Sequence, residues 1–187
     1  MNCTTTANKT SIQGNSLISL VEIYREKHRN SALQEKTFFE EMPSLKLAIY
    51  HAAFALDHRT PSKRYSHQRR IRQAPMRQAY KYLSDALVKI KNCKTFDELH
   101  ELLCVAFLRI HGIGQLYTYD TALRIGFALG IEPTLVYLHA GTRQGARAIG
   151  VKSSKKVELQ DLPVALRKLA PHEIENFLCI FKPRIAA

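Results

Sequence analysis

Residues 95–130 hold the feature that most restricts the fold, two helical stretches joined by His111-Gly112-Ile113-Gly114. A glycine inside a helix weakens it by about 1 kcal/mol relative to alanine, so a helix running through this step is disfavoured. Upstream, TFDELHELLCVAFLRI opens on a capping box, with Thr95 as N-cap and Glu98 at the third helical position. Downstream, QLYTYDTALRIGFALG brings Leu116, Tyr119, Leu123 and Phe127 to one side and stops at Gly130. The step reads as a tight turn between packed helices, with Ile113 pointing inward and the backbone amides facing out.

The other segments predict an all-α protein, a compact multi-helix domain with this unit as its core. Residues 1–15 are polar and aperiodic and read as a flexible tail, with Ser16 capping a helix that carries Leu17, Leu20, Val21 and Tyr24. SALQEKTFFEEM reads as a second helix, and Pro43 suits the first turn of a third. One domain over 16–187 is expected, with a helical layer at 16–58, a basic loop at 59–75 and the remaining helices at 76–187. MRQAYKYLSDALVKIKN reads as a helix, EPTLVYLHAG and TRQGARAIG as short helical pieces, and the tail as two helices starting near Pro163 and Pro171.

Charge narrows the function. The 187 residues carry a formal net charge of +12, a surplus that favours polyanionic partners, nucleic acid foremost. The stretch from His58 to Pro75 concentrates it in Arg59, Lys63, Arg64, Arg69, Arg70 and Arg72, without an acidic residue, and Tyr65 could stack on a base or cover the core. No apolar run approaches the roughly 20 residues that span a bilayer, and the N-terminus lacks the apolar centre of a secretory signal. The expectation is a soluble cytoplasmic protein with no membrane partner. Cys3, Cys93, Cys104 and Cys179 are scattered without metal-ligand spacing, so no metal site is expected, and Cys104 and Cys179 read as small core residues.

The order Ile110, His111, Gly112, Ile113, Gly114, followed by a helix with spaced apolar residues, resembles the helix-hairpin-helix family of non-sequence-specific DNA-binding motifs. The resemblance implies phosphate contact by the amides around Gly112 and Gly114, in some members with a monovalent cation held by hairpin carbonyls. Such contacts position a protein on nucleic acid without reading bases. YDTALRIGFALG is more loosely similar to a segment of the helix-hairpin-helix DNA glycosylases. That similarity implies a catalytic role for Asp120, stabilising positive charge on the sugar as the base departs. Read from the sequence alone, Asp120 is equally an acidic residue near a helix N-terminus, or a partner for Arg124 four residues on.

Histidines 51, 58, 111 and 139 have no ligand set or catalytic partner in sequence and read as surface or core-edge groups. Arg143 and Arg147 lie four apart beside Gly141, Thr142 and Gly145, offering either a second phosphate clamp or two solvated arginines on a closely packed helix. The expectation is nucleic-acid binding, DNA foremost, through His111 to Gly114, the six basic residues of 59–75, Lys81, Arg143 and Arg147. The alternatives are a glycosylase-like enzyme using Asp120 and a module for an acidic protein partner.

Overall fold

The computed structural model describes the backbone of residues 5–153 and 155–185, and the side chains of 16–153 and 155–185. The protein is mostly helical, at 66%, with nine α-helices and two small antiparallel sheets among the described residues.

Helix α1 (Thr5–Lys27) includes the backbone of residues 5–15, part of the segment expected as a tail; residues 1–4 lie outside the described residues. Ser16 is therefore inside the helix and caps nothing. Helix α2 (Arg29–Glu40) follows, and α3 (Leu45–Ala53) starts at Ser44, whose hydroxyl accepts a bond from the Leu47 amide, leaving Pro43 outside. Strand β1 (Leu56–Asp57) pairs with β2 (Thr60–Arg64), so the expected basic loop is partly a hairpin strand. A 3-10 turn at Ser66–Gln68 precedes α4 (Gln73–Asp85), and α5 (Leu87–Asn92) begins after a turn at Ala86 that divides a segment reading as one helix.

Helix α6 (Phe96–Phe107) is capped as expected. The Thr95 hydroxyl accepts from the Glu98 amide, while the Glu98 carboxylate reaches the amide of Lys94, one residue outside a standard box. Helix α7 (Gln115–Leu129) ends at Gly130 in the left-handed conformation, φ +69°. Strand β3 (Val136–Tyr137) stands where a short helix is expected, because it pairs with the distant β4 (Lys156–Val157). Helix α8 (Ala140–Ala148) then starts at His139, so Thr142 lies inside it and its hydroxyl bonds back to the His139 carbonyl. Two 3-10 turns, Leu159–Asp161 and Leu166–Lys168, replace the first of the two final helices, and α9 (Pro171–Ile185) is the second.

The chain divides into two compact units, Met1–Ala32 with Leu135–Ala187, and Leu33–Thr134, where the sequence reads as one domain. The first has a core in which Leu17, Leu20, Val21 and Tyr24 of α1, at the spacing seen in sequence, meet Ile174, Phe177, Leu178 and Phe181 of α9. Helix α8 approaches α9 closely at Gly145, where a Cβ would fall 2.5 Å from the Leu178 carbonyl oxygen. The second unit buries Ile49, Met76, Leu83, Leu99, Leu103, Tyr117 and Ile125. Helix α7 is covered on most sides, and the Tyr117 hydroxyl donates to the Ala53 carbonyl of α3.

Candidate functional site

The turn between α6 and α7 is held from below and open above. Ile110 is buried and its carbonyl accepts the Ile113 amide, 3.2 Å away, which closes the turn. Ile113 itself is only half-buried, so Ile110 does most of the pinning expected of Ile113. Gly112 sits at φ +90°, a region that favours glycine. Gly114 is the N-cap of α7, at φ −114° and ψ 175°, and no side chain caps the helix. His111, Gly112, Gly114 and Gln115 are exposed. The start of α7 is thus exposed, and the positive end of the helix lies there.

A second helix start lies against the same turn. A Cβ on Gly112 would come 3.4 Å from Cγ of Pro75, in the first turn of α4. Arg72 is the N-cap of α4 and its side chain makes no capping bond. Arg69, Arg70 and Arg72, leading into α4, are exposed, as are Arg77 and Arg109 nearby in sequence and Lys63 on β2.

Other expected cations are engaged. Arg59 grips Asp57, its Nη2 2.9 Å from one carboxylate oxygen and its Nε 3.1 Å from the other. The Arg59 hydrogen bonds pull the Asp57 carboxyl down to about 2 against the opposing effect of burial. Arg64 donates to the Ile71 carbonyl, fixing the loop, and Lys81 pairs with Asp85 on α4. Tyr65 is buried and so is no stacking platform.

Beneath the basic segment lies a polar network that sequence reasoning does not find. Arg124 is buried on α7, with Nε 2.8 Å from Oε1 of Glu35 and Nη1 3.0 Å from Oε1 of Gln68. Its guanidinium sits 4.0 Å above the Tyr65 ring. Burial alone would lower the Arg124 pKa, but the Glu35 and Asp120 carboxylates hold it above its ordinary value. Burial raises that of Tyr65. Asp120 does not bond Arg124 directly: its Oδ2 accepts from Gln68 Nε2 at 2.7 Å and lies 2.9 Å from His67 Nε2. Asp120 is also six residues past the N-cap, beyond the first turn of α7. The network therefore fastens the 3-10 turn, and the arginines after it, to the helix that starts at the hairpin.

His58 belongs to the same region, its Nδ1 3.0 Å from the Tyr65 hydroxyl, while His51 faces the Phe38 ring. Burial lowers the pKa of both histidines.

Arg143 and Arg147 belong to the other unit. Arg143 is half-buried and donates to the Leu138 carbonyl, and Arg147 is exposed. His139 is buried and paired with Glu175 of α9, a partner 36 residues away that no local pattern announces. Cys104 is exposed beside His100, contrary to its reading as a core residue, and Cys179 is half-buried.

Among the described residues, no helix is long and apolar enough to cross a membrane, and no group of three His, Cys, Asp or Glu side chains is arranged to hold a metal ion. Comparison with protein-family models, curated proteins and solved structures finds no match.

Proposed function

We propose that the Leu33–Thr134 unit binds nucleic acid, DNA foremost, through the phosphate backbone and without reading sequence. The observation that carries this reading is the meeting of two uncapped helix N-termini, of α7 at Gly114 and of α4 at Arg72, with exposed Arg69, Arg70 and Arg72 beside them. Helix-start amides and fixed positive ends suit phosphate oxygens, and mobile guanidiniums add affinity that salt screens. His111 and Lys63 are further exposed contacts, whereas Arg59 and Arg64 shape the loop. Arg143 and Arg147 belong to the other unit and are left out of this reading. A monovalent cation on the hairpin carbonyls, implied by the family resemblance, would show as potassium-dependent affinity at constant ionic strength.

The test is fluorescence anisotropy with labelled duplex DNA, single-stranded DNA and duplex RNA across a salt series. Gly114→Ala is the sharper probe of the hairpin, because a Cβ there meets nothing within 4 Å and φ is negative. The fold should be unchanged while the methyl stands where a phosphate would approach. Expected are saturable binding that weakens steeply with salt and about tenfold weaker binding by the variant, the value of roughly one charge-assisted hydrogen bond. Absence of binding to all three at low salt would overturn the proposal.

The enzyme alternative has a specific difficulty, since Oδ2 of Asp120 is shared by His67 and Gln68. Asp120→Asn would stop base release if Asp120 were catalytic, and would loosen the basic segment if it is an anchor. An acidic-protein module would bind heparin at least as well as nucleic acid.

A further inference from the structure

A second surface of the Leu33–Thr134 unit is apolar where it meets water. Helix α3 buries Ala48, Ile49, Ala52 and Ala53. Leu47, Tyr50 and Phe54 recur at intervals of three and four, which puts them together on the opposite face. Leu47 is 38% and Tyr50 42% exposed, and Phe54 is half-buried. Tyr80 of α4 joins them, its ring centroid 5.6 Å from that of Tyr50 and 5.5 Å from that of Phe54, while the Tyr50 and Phe54 centroids are 4.9 Å apart. Tyr50 and Tyr80 meet at 87°, edge to face, which leaves open ring surface that a parallel stack would hide. An apolar cluster of this kind on a solvated face, rimmed by polar residues, marks a site of interaction.

The rim selects the partner. Lys46, four residues before Tyr50 on α3, is exposed, as is Arg77, three residues before Tyr80 on α4. From Met42 to Ser84, a span that holds α3 and all of α4 but its last residue, the one acidic residue is Asp57, and Arg59 grips it. Aromatic rings among cations, in a stretch nearly free of carboxylates, suit a chain that carries flat faces and repeating negative charge. We infer that Tyr50, with Phe54 and Tyr80 packed against it, is a platform on which an unpaired base of single-stranded nucleic acid stacks, while Lys46 and Arg77 meet the flanking phosphates. Bases in a duplex are stacked on one another and offer no face, so the platform favours single strands. It does so whatever their sequence, because every base has a π-face. This inference rests on the nucleic-acid reading of the unit and names the form of nucleic acid that the unit prefers. Tyr65, the aromatic residue of the basic segment, is buried and cannot serve in this way.

The experiment measures fluorescence anisotropy with the full chain and three labelled probes at one low salt concentration: an oligothymidylate, an abasic strand of the same length and charge, and a DNA duplex. Wild type should bind the oligothymidylate roughly tenfold more tightly than the abasic strand, the value of one base stacked on one ring. Tyr50→Ala should remove most of that preference by weakening the oligothymidylate alone. Tyr50→Phe keeps the ring and should keep the preference. Gly114→Ala should instead weaken all three probes alike, since the hairpin meets only phosphate, so the two sites are separable. Circular dichroism establishes that each variant is folded, and the wild-type comparison of the two strands already tests the claim if one is not. Equal affinity for the two strands, or a preference that survives in folded Tyr50→Ala, would overturn the platform and leave the phosphate reading standing. Absence of binding to all three probes would overturn both.

Discussion

Replacing Arg124 with methionine tests whether the buried network holds the Leu33–Thr134 unit together. Methionine keeps most of the stem's packing volume and removes the guanidinium, so the effect reports on polar contacts rather than on a cavity. Two hydrogen bonds are lost, to Glu35 at 2.8 Å and Gln68 at 3.0 Å. Bonds to a charged group contribute about 1.5–3 kcal/mol each. The contact with the Tyr65 ring, 4.0 Å from its centroid, adds about 1–2 kcal/mol where desolvated. Against this, the Glu35 side chain is 25% exposed and regains some hydration once its partner has gone. The net loss should be about 4 kcal/mol, within the range for breaking a buried ion pair.

Urea unfolding followed by circular dichroism measures the loss, with the denaturant slope as a check on two-state behaviour. Arg124→Lys retains the charge without the fork and should lose about half as much. Adding Glu35→Gln completes a double-mutant cycle, in which a coupling of at least about 1 kcal/mol is expected for groups in contact. A methionine variant within about 1 kcal/mol of wild type would refute the reasoning. It would mean that water or a rearranged Gln68 satisfies the site and that the network is no anchor.

Gly145→Ala should destabilise the α8–α9 unit by about 1–3 kcal/mol on chemical denaturation, net of a small gain in helix propensity, because overpacking there meets backbone and the Cβ would fall 2.5 Å from the Leu178 carbonyl oxygen. Thr95→Ala should lower stability by about 1 kcal/mol through loss of the α6 cap, measured in the same way. Acid should weaken the fold through two histidines. His51 and His58 have folded pKa values lowered by burial, so stability is fully present above the unfolded value near 6.5 and declines as pH falls from there toward the folded values. A melting temperature that holds steady between pH 7.5 and 5.5, or a decline that persists in a folded His51→Phe/His58→Phe variant, would contradict this account.

The capped start of α6, the stop at Gly130 and the turn at Gly112 were legible because each is set by residues within four positions of one another. Capping, left-handed glycine and helical spacing are local, and the structure realises all three. The strands are the opposite case. Val136 and Tyr137 have no alternating neighbours to announce them, and become β3 only because Val157 and Lys156 arrive from twenty residues away. Likewise Tyr65, in a stretch dense with arginine, is expected at the surface or as a cover for the core, and is buried because Arg124 lies across its ring.

Asp120 shows how such long-range contacts supply partners that the local sequence does not reveal. Its neighbours in the chain suggest a helix-end charge or a bond to Arg124, and its family likeness suggests catalysis. The structure instead joins it to His67 and Gln68, more than fifty residues earlier, and gives Arg124 to Glu35. The carboxylate therefore tethers the segment that carries Arg69, Arg70 and Arg72 to the helix whose N-terminus meets the hairpin. On the proposed reading, phosphate binding by this unit would require both halves of the arrangement. Loosening the tether should weaken binding without touching a phosphate ligand, so Arg124→Met and Asp120→Asn should each lower affinity while the Gly114 amide stays in place. Anisotropy on folded Asp120→Asn, compared at one salt concentration with Gly114→Ala, separates the anchor from the contact. Tether loss should lower affinity and reduce the salt slope as the arginines disperse, whereas hairpin substitution should lower affinity with the arginines' part of that slope intact.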